Sequence, residues 1–174
     1  GKSAMEVELD AGFGRAIELH RTVMDVEMAH NFRRDYQSGG DKLSLRLRTL
    51  IERGREVRAV DYCGALSART ALGEALDPLF DEYDAIVTPA APGPAPRGLD
   101  STGDPAFCSM WTWLGVPTVS LPLLLAPSGL PIGVQLVGRR GNDARLLRTA
   151  RWLVDMLGRQ RRRPAARARK GSKR

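Results

Sequence analysis

Two cysteines in 174 residues, Cys63 and Cys108, exclude a disulfide framework and give no metal-ligand spacing. Such scarcity fits a reducing compartment, so a cytoplasmic location is expected, with both thiols packing as small hydrophobes rather than acting as nucleophiles. Histidine is as scarce. His20 and His30 stand ten residues apart on one predicted helix, about 15 Å along its axis, and cannot share a small site. Glu27 beside His30 is an ordinary helix-surface neighbour. No metal and no cofactor is expected. No apolar run approaches the roughly 20 residues needed to cross a bilayer, and no basic-then-apolar leader opens the chain, so no membrane partner is expected either. No Gly-rich loop follows a strand in the format that binds phosphates or dinucleotides. No repeat of about 20–50 residues marks a solenoid.

Acidic residues are missing from 159–174, where nine Lys or Arg stand together. The other 158 residues hold 18 basic and 20 acidic side chains, so the net charge of +7 belongs to the tail and the rest is mildly acidic. RQRRRPAARARKGSKR cannot bury apolar surface and is expected to be a disordered basic tail. A solubilising role is the favoured reading, with weak, salt-sensitive contact to a polyanion as the alternative. No aromatic residue follows Trp152, which leaves base stacking by the tail without support.

What is present divides in two. Residues 13–81 read as helical. Phe13, Ile17, Met24, Met28 and Phe32 form an amphipathic stripe over 13–36. Ser38-Gly39-Gly40-Asp41 breaks it, with Asp41 as cap for a shorter helix to about residue 53. A third helix over 57–80 buries Leu72, Leu76, Leu79 and Phe80. Residues 84–158 read as α/β. Asp84-Ala85-Ile86-Val87-Thr88 is a short buried strand ended by Pro89, and 89–98 hold four prolines and two glycines, a structured loop. Asp104-Pro105 starts a short helix that Gly115 ends. Residues 118–125 and 132–137 are strands expected to pair antiparallel, with Pro122 forcing an edge, a bulge or a strand end. A last helix from Asn142 buries Leu146, Leu147, Ala150, Leu153, Val154 and Leu157, with Gly158 as its stop.

The stretch 102–138, TGDPAFCSMWTWLGVPTVSLPLLLAPSGLPIGVQLVG, resembles the C-terminal part of the amidase signature family, serine hydrolases that cleave carboxamides. The likeness extends from about residue 15 to 157. It includes Arg58-Ala59-Val60-Asp61-Tyr62, the strand running from Tyr83 to Pro89, and the ending Asn142-Asp143-Ala144-Arg145-Leu146-Leu147. The resemblance implies an α/β fold in which this chain is the C-terminal part of the amidase signature fold, a mixed sheet flanked by helices and incomplete here. Residues 1–158 would be the C-terminal segment of an amidase domain.

The family's chemistry is acyl transfer by a Lys and two Ser, with backbone N–H groups holding the oxyanion. Those residues precede the region matched here. Lys2 and Lys42 are the only lysines before the tail, and neither stands in a family-like context. Ser38-Gly39-Gly40 is the nearest look-alike to the serine segment, and it lacks the second serine and the flanking glycines. No catalytic residue is therefore assigned, and the chain alone is expected to be inactive. A chain that opens on Gly1 fits a processed end, a cloning scar or a cut from a longer polypeptide, and a fragment or truncated gene product is expected.

By resemblance, Thr102, Gly103, Asp104, Trp111 and Thr112 would form a wall of the substrate pocket. Each also has a plain structural reading: Asp104 as an N-cap, Trp111 and Trp113 as core. Gln135 is a polar residue in an apolar strand, turned to solvent or hydrogen-bonded in the core. The implied partners are a small-molecule amide in the complete enzyme and the missing N-terminal catalytic portion. Self-association through uncovered apolar faces is also expected. Two further readings stay open: a piece of the A subunit of a tRNA-dependent amidotransferase, and a non-catalytic binding module with a nucleic-acid-contacting tail.

Overall fold

A computed structural model describes residues 4–162, with side chains through Gly158. The helical half breaks more often than its periodicity predicts. A 3-10 turn at Ala11–Arg15 is capped by Asp10, whose Oδ1 accepts from Gly12 N at 2.8 Å. Then α1 (Ala16–Asn31) and α2 (Arg33–Gly39) divide the expected first helix at Phe32. The next helix, α3 (Leu45–Glu56), is capped by Ser44 rather than Asp41: the Ser44 hydroxyl accepts from Leu47 N at 3.2 Å. The expected helix over 57–80 is α4 (Ala59–Ala75) and α5 (Asp77–Glu82). Pro78 explains the break, since a proline in mid-helix clashes with the carbonyl four residues back but suits a first turn.

The core of this half forms where α1 meets α3, α4 and α6 (Ala106–Leu114). Ala16, Val23, Ala65, Leu76 and Phe80 are buried there. Ile17, expected inside, is 44% exposed, because the buried face of α1 follows Ala16 and Val23 instead. Among the described residues one charged side chain is interior: Asp25 is 3% exposed and is held by two hydrogen bonds from Arg53 of α3, the Nη2 contact at 2.7 Å. Beside that pair, Gly54 lets the helices touch. A Cβ at residue 54 would run into the backbone carbonyl of Asp25.

Among the described residues the three strands are β1 (Ile86–Pro89), β2 (Thr118–Leu125) and β3 (Pro131–Val137), in the order β1-β3-β2 with both pairings antiparallel. The hairpin is thus β2 with β3, as expected. Pro122 lies in the outer strand, where the register shifts between Leu121 and Leu124, so its missing N–H breaks no regular ladder. One sheet face packs on α7 (Asp143–Arg162) through Leu136, Leu146 and Ala150. Val137 and Ile86 point the other way, into the helical core. The helix α7 passes through Gly158 to Arg162, since a helical glycine costs only about 1 kcal/mol relative to Ala. The rest of the expected disordered tail, 163–174, lies outside the described residues.

Leu147 and Val154, expected inside, are 59% and 44% exposed, on the face of α7 away from the sheet. Cys63 and Cys108 are also exposed, against the expectation of packed thiols.

This packing can be tested at two residues. Gly54→Ala should destabilise the fold by about 1–3 kcal/mol in urea denaturation, because the rigid backbone of α1 cannot move aside and the clash outweighs the helix propensity gained. Burial lowers the His20 pKa from 6.5, with Asp25 opposing and Arg21 adding to the shift. The unfolded chain then binds a proton that the folded state resists. The stability tied to His20 is complete above pH 6.5 and is lost as pH falls through that value towards the folded pKa. His20→Gln should flatten this part of the stability profile, measured by urea midpoints between about pH 7.5 and pH 5.5.

Candidate functional site

The loop between β1 and α6, residues 90–105, is proline-rich and held at both ends. Ala90 N donates to Gly133 O at 2.9 Å, and the Cys108 thiol reaches Ala90 O at 3.4 Å. Gly133 must be glycine here, because a Cβ would strike Ser120 Oγ and come within 2.9 Å of Ala90 Cβ. Near the far end, Gly103 takes a left-handed φ of 95°, and its N–H donates to Ser101 Oγ at 3.1 Å. Pro105, not Asp104, is the N-cap residue of α6, its carbonyl accepting from Cys108 N at 2.8 Å, while Asp104 one residue earlier still accepts from Ala106 N at 2.9 Å. Gly115, at φ 67°, closes the helix: its N–H bonds Thr112 O and that of Val116 bonds Trp111 O, a Schellman motif.

Gln135 ties this assembly together. It is 4% exposed, and its Nε2 donates to Thr88 Oγ1 at 3.2 Å and to Phe107 O at 3.0 Å. One amide therefore joins β3, β1 and the first turn of α6. It is the core hydrogen-bonding role, not the solvent-facing one, that the strand gives this residue. Its register partners Thr88 and Ser120 continue a polar row across the sheet.

A cleft of about 1200 Å³ opens along β1, between α6, α7 and the extended segment 4–9. Phe107, Met110 and Trp111 line it from α6, Thr149, Leu153 and Met156 from α7, and Val87 and Thr88 from β1. Its polar rim carries Arg145, which pairs with Asp84 at 3.0 Å. A hydrogen bond to Glu82 raises the pKa of the Tyr83 phenol, another lining group, above its ordinary 10.0.

Of the five residues expected to wall a substrate pocket, Trp111 alone lines this cleft, and it is also 2% exposed core. Thr102, Gly103 and Asp104 lie exposed on the loop, and Thr112 is exposed on α6. The structure does not bring these four to the cleft wall. Phe107 and Met110 escaped the sequence reading, although Phe107 stands three residues before Met110 and four before Trp111, the spacing of one helix face. Among the described residues, no three His, Cys, Asp or Glu side chains are placed to hold a metal ion. No described helix is long and apolar enough to cross a membrane.

The strand order, the capped helix after the proline loop and the closing amphipathic helix define a piece of the amidase signature fold. Residues 16–147 match the family model described as Amidase, and the chain belongs to that family. A crystal structure of an amidase superposes with a TM-score of 0.75 at 27% identity, over 86% of this chain and 37% of the amidase. Fatty acid amide hydrolase of Medicago truncatula is 30% identical over 158 residues, which is 83% of this chain and 26% of the plant protein. The A subunit of the glutamyl-tRNA(Gln) amidotransferase of Agathobacter rectalis is 34% identical over 96 residues, 51% of this chain and 19% of the bacterial protein. The chain thus spans only about a fifth to a little over a third of the length of these relatives.

Replacing Gln135 with Leu should remove both donated bonds and leave Thr88 Oγ1 and Phe107 O short of a partner. We expect a loss of about 1–3 kcal/mol in urea denaturation, together with faster limited proteolysis within 90–105. Unchanged cleavage of that loop would show that Gln135 does not hold it.

Proposed function

We propose that this chain is the C-terminal segment of an amide-hydrolysing enzyme, supplying a substrate-pocket wall and part of the sheet while the reactive Lys and Ser come from outside these residues. The observation that carries the reading is the family match over 16–147 in a chain spanning 37% of a solved amidase. Under it, loop residues Thr102, Gly103 and Asp104, with Trp111 and Thr112 of α6, face the acyl part of a small amide once the remaining portion is in place. The doubly anchored loop suits such a wall, because a site is only as precise as the elements that hold it. Ser38 does not act as nucleophile: its hydroxyl donates to Arg34 O at 2.9 Å inside α2. The protein works in the cytoplasm, and its isolated form self-associates.

A second reading, an A-subunit-like piece of a tRNA-dependent amidotransferase, is favoured by the match to the Agathobacter rectalis protein. The proposed basic contact with a polyanion would fit it, although 163–174 lie outside the described residues.

The test is an activity assay on small aryl and aliphatic amides, with glutamine included to separate the two readings. The isolated chain should stay at background, and co-expression with the polypeptide encoded immediately upstream of Gly1 should give turnover. Turnover by the isolated chain that survives Ser38→Ala would show the proposal to be wrong.

A further inference from the structure

No charged residue stands between Asp104 and Arg139, yet part of that stretch lies on the surface. The β2–β3 hairpin turns through residues 123–131, LLLAPSGLP. Its turn is well bonded: Gly129 N donates to Ala126 O and Ala126 N to Leu130 O, both at 2.9 Å, with Gly129 at a left-handed φ of 82°. Pro127, Ser128 and Gly129 are ordinary turn residues, but leucines flank them on both sides. Leu124, Leu125 and Leu130 are exposed, Leu125 to 75%. A bonded turn thus holds three leucines in water.

The backbone of this tip suits an apolar medium. Pro122, Pro127 and Pro131 have no N–H to satisfy, and those of Ala126 and Gly129 are used inside the turn. Charge enters from the neighbouring helix. α7 starts at the end of β3 far from the turn, where Gly138 leaves room for Leu146. It packs on the sheet through Leu146 and Ala150, with Leu121 of β2 against the same cluster, so it runs back along the hairpin. Its 20 residues extend about 30 Å, against about 23 Å for the seven residues of β3. The C-terminal end of α7 therefore comes to the end of the sheet that carries the turn. The segment 159–174, with nine Lys or Arg and no acid, begins there.

We propose that the hairpin tip and the basic segment together dock on an anionic lipid surface. The leucines enter the boundary between headgroups and acyl chains, and the Lys and Arg lie against the lipid phosphates. Lying on a surface needs no bilayer-long apolar run, so the absence of such a run does not bear on contact of this kind. The occupant follows from the two chemistries standing side by side. Leucine and proline without Trp, Tyr or Arg make a poor anchor for a protein partner. An uncharged tip without aromatics offers a nucleic acid nothing to pair with or stack on. A lipid surface takes up both an apolar wedge and a cationic cluster, and cytoplasmic leaflets are anionic.

Flotation of the full chain with vesicles tests this, comparing phosphatidylcholine alone with phosphatidylcholine containing about 30% phosphatidylserine. Affinity for the anionic vesicles should be at least about tenfold higher than for the neutral ones. Leu125→Gln combined with Leu130→Gln should lower it at least about tenfold, whereas Leu125→Ile with Leu130→Met should stay within about twofold. Hydrogen exchange on the wild-type chain should show new protection of the Leu124, Leu125 and Leu130 amides on the vesicles, a readout that needs no variant. Absence of binding to either vesicle overturns the proposal. Equal binding by the double glutamine variant, removed by about 0.5 M salt, assigns the contact to the basic segment alone and overturns docking of the tip. Tighter binding to a single-stranded RNA, with the tip amides unprotected, overturns it in favour of nucleic acid. Vesicle binding that is lost on co-expression with the polypeptide encoded immediately upstream of Gly1 assigns the leucines to a contact inside a larger protein and overturns the proposed occupant.

Discussion

The buried amide of Gln135 sets a condition that the α/β half has to meet. An amide taken out of water costs several kcal/mol unless its hydrogen bonds are replaced. Here both replacements come from other elements, Thr88 of β1 and the Phe107 carbonyl of α6. Satisfying one side chain therefore fixes where the edge strand and the short helix stand relative to the central strand. The next three residues continue this division of labour. Leu136 turns to α7, Val137 to the helical core, and Gly138 leaves room for Leu146, whose Cβ would lie 3.1 Å from a Cβ at 138. Four consecutive positions in and just after β3 thus place every layer around the sheet.

Charge holds the seam between the two halves. Arg139, just beyond β3, pairs with Asp77 at 3.2 Å and with Asp81 at 2.8 Å, and also bonds the Asp77 carbonyl at 2.6 Å. Arg140 donates to the Leu114 carbonyl at the end of α6. The carboxylates are exposed, so each pair contributes little by itself. Their value lies in geometry: they stop α5 and α6 from sliding past the end of the sheet. The seam is secure because apolar contact continues beneath it, from Phe80 and Leu76 to Trp111, Leu114 and Val137.

Legibility from sequence followed the strength of local rules. Gly115 and Pro122 each have one backbone role that suits their chemistry, and each was readable without the fold. The helix breaks were harder. Pro78 carried a signal, but nothing in the residues around Phe32 does. Ser44 displaced Asp41 as cap because both are competent, and the choice depends on where the intervening 3-10 turn at Gly40–Lys42 ends. Burial was least legible on α7. Leu147 and Val154 fit a helical stripe as well as Leu146 and Leu153 do, and only the position of the sheet separates them. The same ambiguity hid the cleft. Phe107 and Met110 share the α6 face with Trp111, yet a stripe of aromatics and methionine reads as core throughout, whereas only Trp111 is fully buried and Phe107 stays exposed.

β1 and the loop are consecutive in the chain, and this bears on how the loop is held. β1 ends at Pro89, and the loop starts at Ala90, whose N–H is already bonded to β3. Thr88 lines the cleft while its hydroxyl accepts from Gln135, which in turn holds α6. Covering the cleft would remove water from around this network, and an amide's hydrogen bonds strengthen as the local dielectric falls. Covering of the cleft and stiffening of the loop are then one event.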